Sequence, residues 1–400
     1  MSAGPAGAGG LGFHLTEEQE MLRRVVRDFA AKELTPEYLR ELDATGRAPH
    51  AELLPKMARL GFTSLAVPPE YGGAGGSTVD ATVLLEEMGR ASLSIASLLN
   101  FAIGFGTHTI VRFGTEEQKR HFLPRVCAGE MVFAFSLTEP GAGSDAASLQ
   151  TRAVAEGDHF VITGTKMFTT GAAESGCLLV ATRTDPRAPK HKGISLFLVD
   201  PRTPGITYRR IEKLGMRGAG GLYEVHYDGV RVPRSALLGP LHGGWAAIKA
   251  TLERVRLSQA AYCVGCAQRV VDDAVRYAQE REQFGQPIGA FQAISHMLVD
   301  LQVSTDAARL LLYRAAWLVD QGIPCMKEAS MANLYATEAL VRVTSDAMRV
   351  YGGYGFTLEF DIQRHFRDAR LFVIGDGSSQ IQRNLIARMM GLGERRREGT

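Results

Sequence analysis

The chain has 400 residues, 45% of them hydrophobic, enough for a large buried core and several structural units. Lysine plus arginine (45) nearly balances aspartate plus glutamate (43), and no basic run extends beyond 395–397, so neither nucleic acid nor an anionic membrane is indicated as the main partner. No apolar stretch is expected to reach the roughly 18 residues of a membrane helix, and residues 1–10 lack the basic start and apolar centre of a signal peptide.

In chain order, residues 1–14 read as a disordered tail. Thr16 can cap a helix with Glu18, Gln19 and Glu20 in its first turn, and Met21, Leu22, Val25, Val26, Phe29 and Leu34 recur at helical spacing. A second helix is predicted at 53–60, ending at Gly61, and a Pro/Gly-rich break at 68–73 precedes a third at 78–89. The stretch 93–113 is apolar with small residues and predicts a buried helix or helix pair. Thr115 starts another helix that runs to about Ala128. Residues 15–130 thus read as a helical domain.

From Met131 the character changes. Short apolar runs at 132–137, 159–162, 178–181, 194–199 and 222–227, punctuated by glycine and proline, predict a β domain over 131–240. Helical periodicity returns at 245–281, 291–321, 327–351 and 379–390, which predicts a helical domain over 241–394 followed by a short tail at 395–400. Helices, then strands, then helices is an α+β pattern. The five cysteines (Cys127, Cys177, Cys263, Cys266, Cys325) are an odd, scattered set. The CxxC pair lies inside a helical pattern, so buried free thiols, no metal and a reduced cytoplasmic protein are expected.

Five stretches carry chemistry. In Phe135-Ser136-Leu137-Thr138-Glu139-Pro140-Gly141-Ala142-Gly143-Ser144-Asp145 a strand ends in hydroxyls and an open glycine turn, either an ordinary loop or a cradle of backbone amides. Gly164-Thr165-Lys166-Met167-Phe168-Thr169-Thr170-Gly171 reads by itself as a hairpin core with Phe168 buried. Arg281-Glu282-Gln283-Phe284-Gly285 follows a helix, and its guanidinium suits a pair of phosphates. Arg349-Val350-Tyr351-Gly352-Gly353-Tyr354-Gly355 is a turn that backbone or ligand can approach. Last, Phe372–Arg383 delivers Asp376 from an apolar approach into a glycine turn, where Ser378 or Ser379 can cap the final helix. That acid is either a solvated loop residue or a carboxyl tuned into a base.

Taken together, over roughly residues 15–391, these stretches resemble the acyl-CoA dehydrogenase superfamily. Thr138 to Asp145 is similar to its Thr-Glu-Pro-Gly-Ala-Gly-Ser-Asp signature, and Asp376 stands where the family has a Glu base. The resemblance implies a helical N-terminal domain, a barrel-like β domain and a C-terminal four-helix bundle. It implies FAD, held by Phe135, Leu137, Thr138, Gly143, Ser144, Phe168, Thr170, Ser378 and Gln380. Arg281, Phe284, Gln292, Arg349, Gly352 and Gly353 would reach the dinucleotide of a neighbouring subunit in a homodimer or homotetramer. The substrate would be an acyl thioester of CoA or of an acyl carrier protein, touched by Ser144, Arg254 and Gly377. Its α-proton goes to a base while hydride leaves the β-carbon for flavin N5, and electrons pass on to an electron-transfer flavoprotein. The helix around 98–105 and residues near Leu257 would set pocket depth.

Two acids compete as the base. Asp376 occupies the turn position, but its arm is one methylene, about 1.5 Å, shorter than that of Glu. Glu253, in Thr251-Leu252-Glu253-Arg254-Val255-Arg256, resembles the base position of isovaleryl- and long-chain-type members, or is a helix-surface acid. Asp at the turn also resembles the nitroalkane oxidase branch, the alternative function. A DNA-binding flavoprotein branch would want a basic face that this near-neutral chain lacks.

Overall fold

The computed structural model describes residues 14–392. The predicted tails, the 395–397 run and the 1–10 segment lie outside the described residues, His14 excepted. α1 (Glu17–Glu33) starts on a reciprocal cap: Gln19 N donates to Thr16 Oγ1 at 3.2 Å and Thr16 N to Gln19 Oε1 at 3.1 Å. α2 (Pro36–Thr45) is not predicted, because only Leu39 and Leu42 mark its apolar face. Its frame was nonetheless present, with Thr35 as N-cap, Pro36 at the first position and Gly46 left-handed after its end. α3 (His50–Arg59), α4 (Thr78–Ala91), α5 (Leu93–Asn100), a π-helical turn (Phe101–Phe105), α6 (Gly106–Phe113) and α7 (Glu116–Cys127) complete this layer.

Contrary to expectation, Leu93–Phe113 is long and apolar enough to cross a membrane by length and composition. Of its most apolar window, 89% is buried inside the protein, against the sheet and the C-terminal helices. Its hydropathy is that of a core element.

The strands β1 (Phe133–Ser136), β2 (Arg152–Glu156), β3 (His159–Thr170), β4 (Cys177–Arg183), β5 (Ile194–Val199), β6 (Ile206–Ile211), β7 (Leu222–Pro233) and β8 (Leu237–Leu238) form one sheet. Its order is β6-β7-β3-β2-β4-β5-β8, with β1 parallel to β4. Strand alternation divides the side chains between two cores. Leu179, Ala181, Leu196 and Leu198 face the helices, while Leu178, Val180, Phe197 and Val199 join Phe160, Ile162 and Tyr227 in an interior the sheet wraps around. β2 and β6 are not predicted because they are mostly exposed and polar, with Ala153 the single buried residue of β2.

α8 (Gly244–Glu280), a two-residue hairpin β9 (Glu282–Gln283) and β10 (Gln286–Pro287), α9 (Gln292–Asp320), α10 (Met326–Tyr351), α11 (Ile362–Ala369) and α12 (Ser379–Met389) follow. α11 escapes prediction because its buried face carries Arg364, His365 and Asp368 alongside Ile362 and Ala369. The five cysteines are free, with Cys177, Cys263 and Cys266 buried.

α4 and α8 cross at two glycines. A Cβ on Gly265 would lie 1.8 Å from the Glu86 carbonyl oxygen, and one on Gly89 would lie 2.4 Å from Tyr262 Cα. Gly265→Ala must therefore push the helices apart and is expected to destabilise the fold by about 1–3 kcal/mol, read as a lowered midpoint in thermal unfolding. Asp320, at the end of α9, accepts from Thr78 N at 2.6 Å and Val79 N at 2.9 Å, so its charge complements the start of α4.

Candidate active site

The ends of β1 and β3 are knitted together. Met167 N donates to Thr138 O at 2.8 Å, and Ser136 Oγ lies 3.2 Å from Thr169 Oγ1 and 2.9 Å from Tyr227 OH. The β3–β7 register slips between Lys166 and Thr169, and Phe168 adopts a left-handed φ of 58° that turns its ring outward, 57% exposed. Phe135, Leu137, Thr138, Phe168 and Thr170 are thereby brought to one edge. Gly143 and Ser144 are exposed on the following turn, and a Cβ at Gly141 or Gly143 would meet nothing within 4 Å.

Beneath this edge lies a buried ion pair that the sequence did not reveal. Lys166, fully buried, donates from Nζ to Leu137 O at 2.9 Å and to Glu139 Oε1 at 2.8 Å. Glu139 also accepts from Gln150 N at 2.6 Å and Thr151 N at 2.8 Å. Burial pulls the Lys166 pKa down to about 8 against the attraction of Glu139. Burial pushes the Glu139 carboxyl upward, but Lys166 and the amide donors outweigh it and hold that pKa below its usual value.

Asp376 stands at a turn of the main chain. Ile374 N and Gly375 N both donate to Leu371 O, at 3.0 and 2.8 Å. Asp376 then takes φ 53° and Gly377 φ 100° before Ser378 caps α12 through Ile381 N at 3.5 Å. An aspartate held left-handed costs on the order of 1 kcal/mol, a strain that gathers at functional sites. Gln382 Nε2 braces the turn by donating to Gly377 O at 3.0 Å, and Asp376 N–H has no backbone acceptor. No hydrogen bond contributes to the state of this carboxylate, and desolvation alone raises its pKa from 3.8 to about 6. Part of its surface remains open, while the protein around it strips most of its water.

Glu253 is not brought to Asp376. The α8 residue within electrostatic reach of Asp376 is Tyr262. Nine positions (262 − 253) separate Tyr262 from Glu253, which at about 100° and 1.5 Å per residue puts Glu253 on the opposite face, roughly 13 Å along the axis. Its charged and thiol neighbours are Arg256 and Cys325. Arg254 is likewise engaged elsewhere, donating from Nη1 to Thr78 Oγ1 at 2.8 Å. Arg256 is the arginine of that run with buried, unpartnered Nε and Nη1, and nothing in the repeated Arg-x-Arg pattern distinguishes the two.

The third group lies at the far end of α8. Arg281, Gly352 and Gly353 line a groove of about 450 Å³ with Tyr277, Tyr351 and Tyr354, and the Arg281 guanidinium stands 5.6 Å from the centre of the Tyr354 ring. Gly352, at φ 61° and ψ −137°, and Gly353 leave open space where a Cβ would point. Phe284 is 93% exposed and Gln292 is exposed beside it. Arg349 bonds Asp346 at 3.2 Å, one turn back on its own helix. Ser378 serves its turn as a cap, and Gln380 is exposed on the first turn of α12. Arg281 stands 19 positions (281 − 262) beyond Tyr262, the α8 residue near Asp376, roughly 28 Å along a helix at 1.5 Å per residue. One chain therefore presents its two groups of candidate cofactor residues to two different places.

A helical–sheet–helical chain with a desolvated acid, an aromatic-lidded turn and a distant arginine groove is built as a flavin-dependent dehydrogenase. Its residues 16–130, 134–230 and 242–391 match the N-terminal, middle and C-terminal domain families of acyl-CoA dehydrogenase. It is 40% identical over 381 residues to the probable acyl-CoA dehydrogenase YngJ of Bacillus subtilis, spanning 95% of this chain and 100% of that one. It is 37% identical over 378 residues to the caffeyl-CoA reductase-Etf complex subunit CarC of Acetobacterium woodii, 94% and 99% of the two chains. The structure of butyryl-CoA dehydrogenase from Megasphaera elsdenii matches with a TM-score of 0.91 at 32% identity, over 95% of this chain and 100% of that chain. The chain belongs to the acyl-CoA dehydrogenase family. It is an FAD-dependent oxidoreductase acting on CH–CH groups, converting an acyl-CoA to an enoyl-CoA, and the nitroalkane oxidase alternative is not favoured. The residues present fit FAD: the open glycine turn admits a ring edge, and the groove pairs an exposed guanidinium with glycines that let a diphosphate approach.

Proposed function

We propose that Asp376 is the base of this dehydrogenase and that Glu253 is not. The observation that carries this reading is the carboxylate at Asp376, strained, desolvated and free of donors, whose raised pKa suits proton abstraction near neutrality. One Asp376 oxygen takes the α-proton of the acyl-CoA. The unpaired Asp376 N–H donates to the thioester oxygen, where negative charge builds. Leu137, Thr138, Phe168 and Thr170 position the ring of the cofactor, with Gly143, Ser144 and Gln380 at its margin. Bound FAD supplies the hydride acceptor.

Arg281, Gly352 and Gly353 complete the FAD site of a second copy, because the length of α8 keeps them from their own. The surface suits such an assembly: Val299, Val303, Leu310 and Trp317, spaced by four and seven, form an exposed apolar stripe on α9. We place the enzyme in the cytoplasm, with an electron-transfer flavoprotein as its oxidant, since the Acetobacterium relative is a subunit of a reductase-Etf complex. The purified protein is expected to be yellow, with about one FAD per chain, and to sediment as a dimer or tetramer. Arg281→Ala should release FAD on gel filtration while the fold survives. A fully active monomer, or an Arg281→Ala protein that holds FAD as wild type does, would contradict this assembly.

A further inference from the structure

The loop between β4 and β5, residues 184–193, takes no part in the chemistry described so far. It contributes no residue to either core, and a loop of that kind is ordinarily mobile. This one is bound throughout. Thr184 N and Asp185 N donate to Gly193 O at 2.8 and 3.1 Å, Lys192 N to Pro189 O at 2.7 Å, and Arg187 N to Asp185 Oδ1 at 2.9 Å. Arg183 runs beneath it, donating from Nη1 to Lys192 O at 2.7 Å and from Nη2 to Lys190 O at 3.2 Å. The same Nη2 donates to Ala147 O at 2.6 Å, and Lys190 Nζ stands 2.5 Å from Asp145 Oδ2, so the loop is fastened to the turn that carries Ser144. On its other side His242 Nδ1 lies 2.9 Å from Thr184 Oγ1, and the His191 ring lies 5.1 Å from that of Trp245 in the first turn of α8. The result is a fixed crest on which Arg187, Lys190, His191 and Lys192 are all exposed. Lys190 bridges Asp145, while Arg187 and Lys192 extend without an ion-pair partner among the described residues. Three cations within 187–192 are a local excess in a chain whose net charge is only +2.

We propose that this crest docks the acidic face of an acyl carrier protein, so that the enzyme takes acyl groups from a carrier-bound phosphopantetheine as well as from CoA. This rests on Asp376 as the base and on Ser144 marking the path of the thioester. Side chains spread along an exposed loop offer distributed charge, which suits an acidic protein surface better than a single phosphate. The backbone is already ordered, so docking costs little conformational entropy. The chemistry at Asp376 is unchanged, because a carrier thioester presents the same α-proton and the same β-hydrogen.

The test presents one butyryl group on three carriers: pantetheine, CoA, and the acidic acyl carrier protein of bacterial fatty-acid synthesis. Each is measured as kcat/KM on holoenzyme. Wild type is expected to use the protein-bound thioester at least about 10-fold better than butyryl-pantetheine, which has the arm but neither protein nor nucleotide. That advantage should shrink as salt is raised from about 0.02 to 0.3 M, since exposed charges are screened. The double variant Arg187→Glu/Lys192→Glu alters two exposed side chains, so fold and FAD content should survive. It should lower the carrier-protein value at least about 10-fold, through KM, while butyryl-pantetheine is unchanged and butyryl-CoA stays within about 3-fold. The inference is overturned if wild type uses the carrier protein no better than pantetheine, a result that needs no variant. It is also overturned if the double variant keeps the carrier-protein value, or loses butyryl-CoA as severely, which would assign the crest to the nucleotide phosphates. Failure of the base assignment looks different: Asp376→Asn would then stay active on all three carriers, whatever their ratios.

Discussion

Asp376→Asn is expected to slow flavin reduction by an acyl-CoA at least about 100-fold, within the 10²–10⁴-fold that a general base typically contributes. The amide is nearly isosteric, and the turn is held by Gln382 and Ser378 rather than by the carboxylate, so FAD content and backbone geometry should survive. Glu253→Gln should lose far less, since that side chain projects from the other face of α8. A second readout follows from linkage. The folded pKa of Asp376, about 6, lies above the ordinary 3.8. Between these values the folded protein binds more protons than the unfolded chain, so this group's contribution to stability falls as pH rises through the window. The cost of the ionised group is fully present above about pH 6. Asp376→Asn should therefore stabilise the apoprotein by about 1–3 kcal/mol at pH 7.5 and by little at pH 4, measured by thermal unfolding at both values. An active site that lowers stability where it raises rate is the expected trade.

Lys166→Ala is expected to be the most destabilising single change near the site, by about 3–5 kcal/mol, because it leaves the Glu139 carboxylate buried without its cation. It also removes the donor to Leu137 O, which pins the backbone next to Thr138. FAD retention should fall along with the unfolding midpoint. The double variant Glu139→Gln/Lys166→Met takes both charges out of the interior and should recover much of the stability. It should not recover full FAD affinity, since Leu137 O remains unpaired. Equal stability of Lys166→Ala and wild type would show that the pair is not what holds this edge.

Much of this was legible in the sequence where local physics decides. Thr16 and Gln19 predict the cap of α1, and the short apolar run at 194–199 predicts the strand β5, which is buried on both faces. The glycine turns at 141–143 and 375–377 mark both sides of the site. Legibility ended where a side chain's fate depends on a distant partner. Lys166 looks like a surface lysine until Glu139, 27 positions (166 − 139) earlier in the chain, is placed against it. The face of Glu253 is hidden for a related reason: residues 255–267 of α8 are buried on every side, so no apolar stripe reveals which way the helix points. The same uniform burial conceals that Arg254 meets Thr78 while Arg256 has no partner. α11 disappears because its buried face is charged. Asp376 and its apolar approach are legible from its turn, but that no neighbouring backbone amide donates to the carboxylate is not, because it depends on where those amides point in space.

The measurement that bears most directly on Asp376 as the base of an acyl-CoA dehydrogenase is the rate of flavin bleaching on rapid anaerobic mixing with butyryl-CoA, followed from pH 5 to pH 9. The base must be ionised to act, so the second-order rate should fall tenfold per unit below about pH 6 and level off above it. Asp376→Asn should show a slow rate without that inflection. A wild-type rate that is flat across the range, or an Asp376→Asn protein that bleaches as fast and with the same inflection, would contradict the assignment.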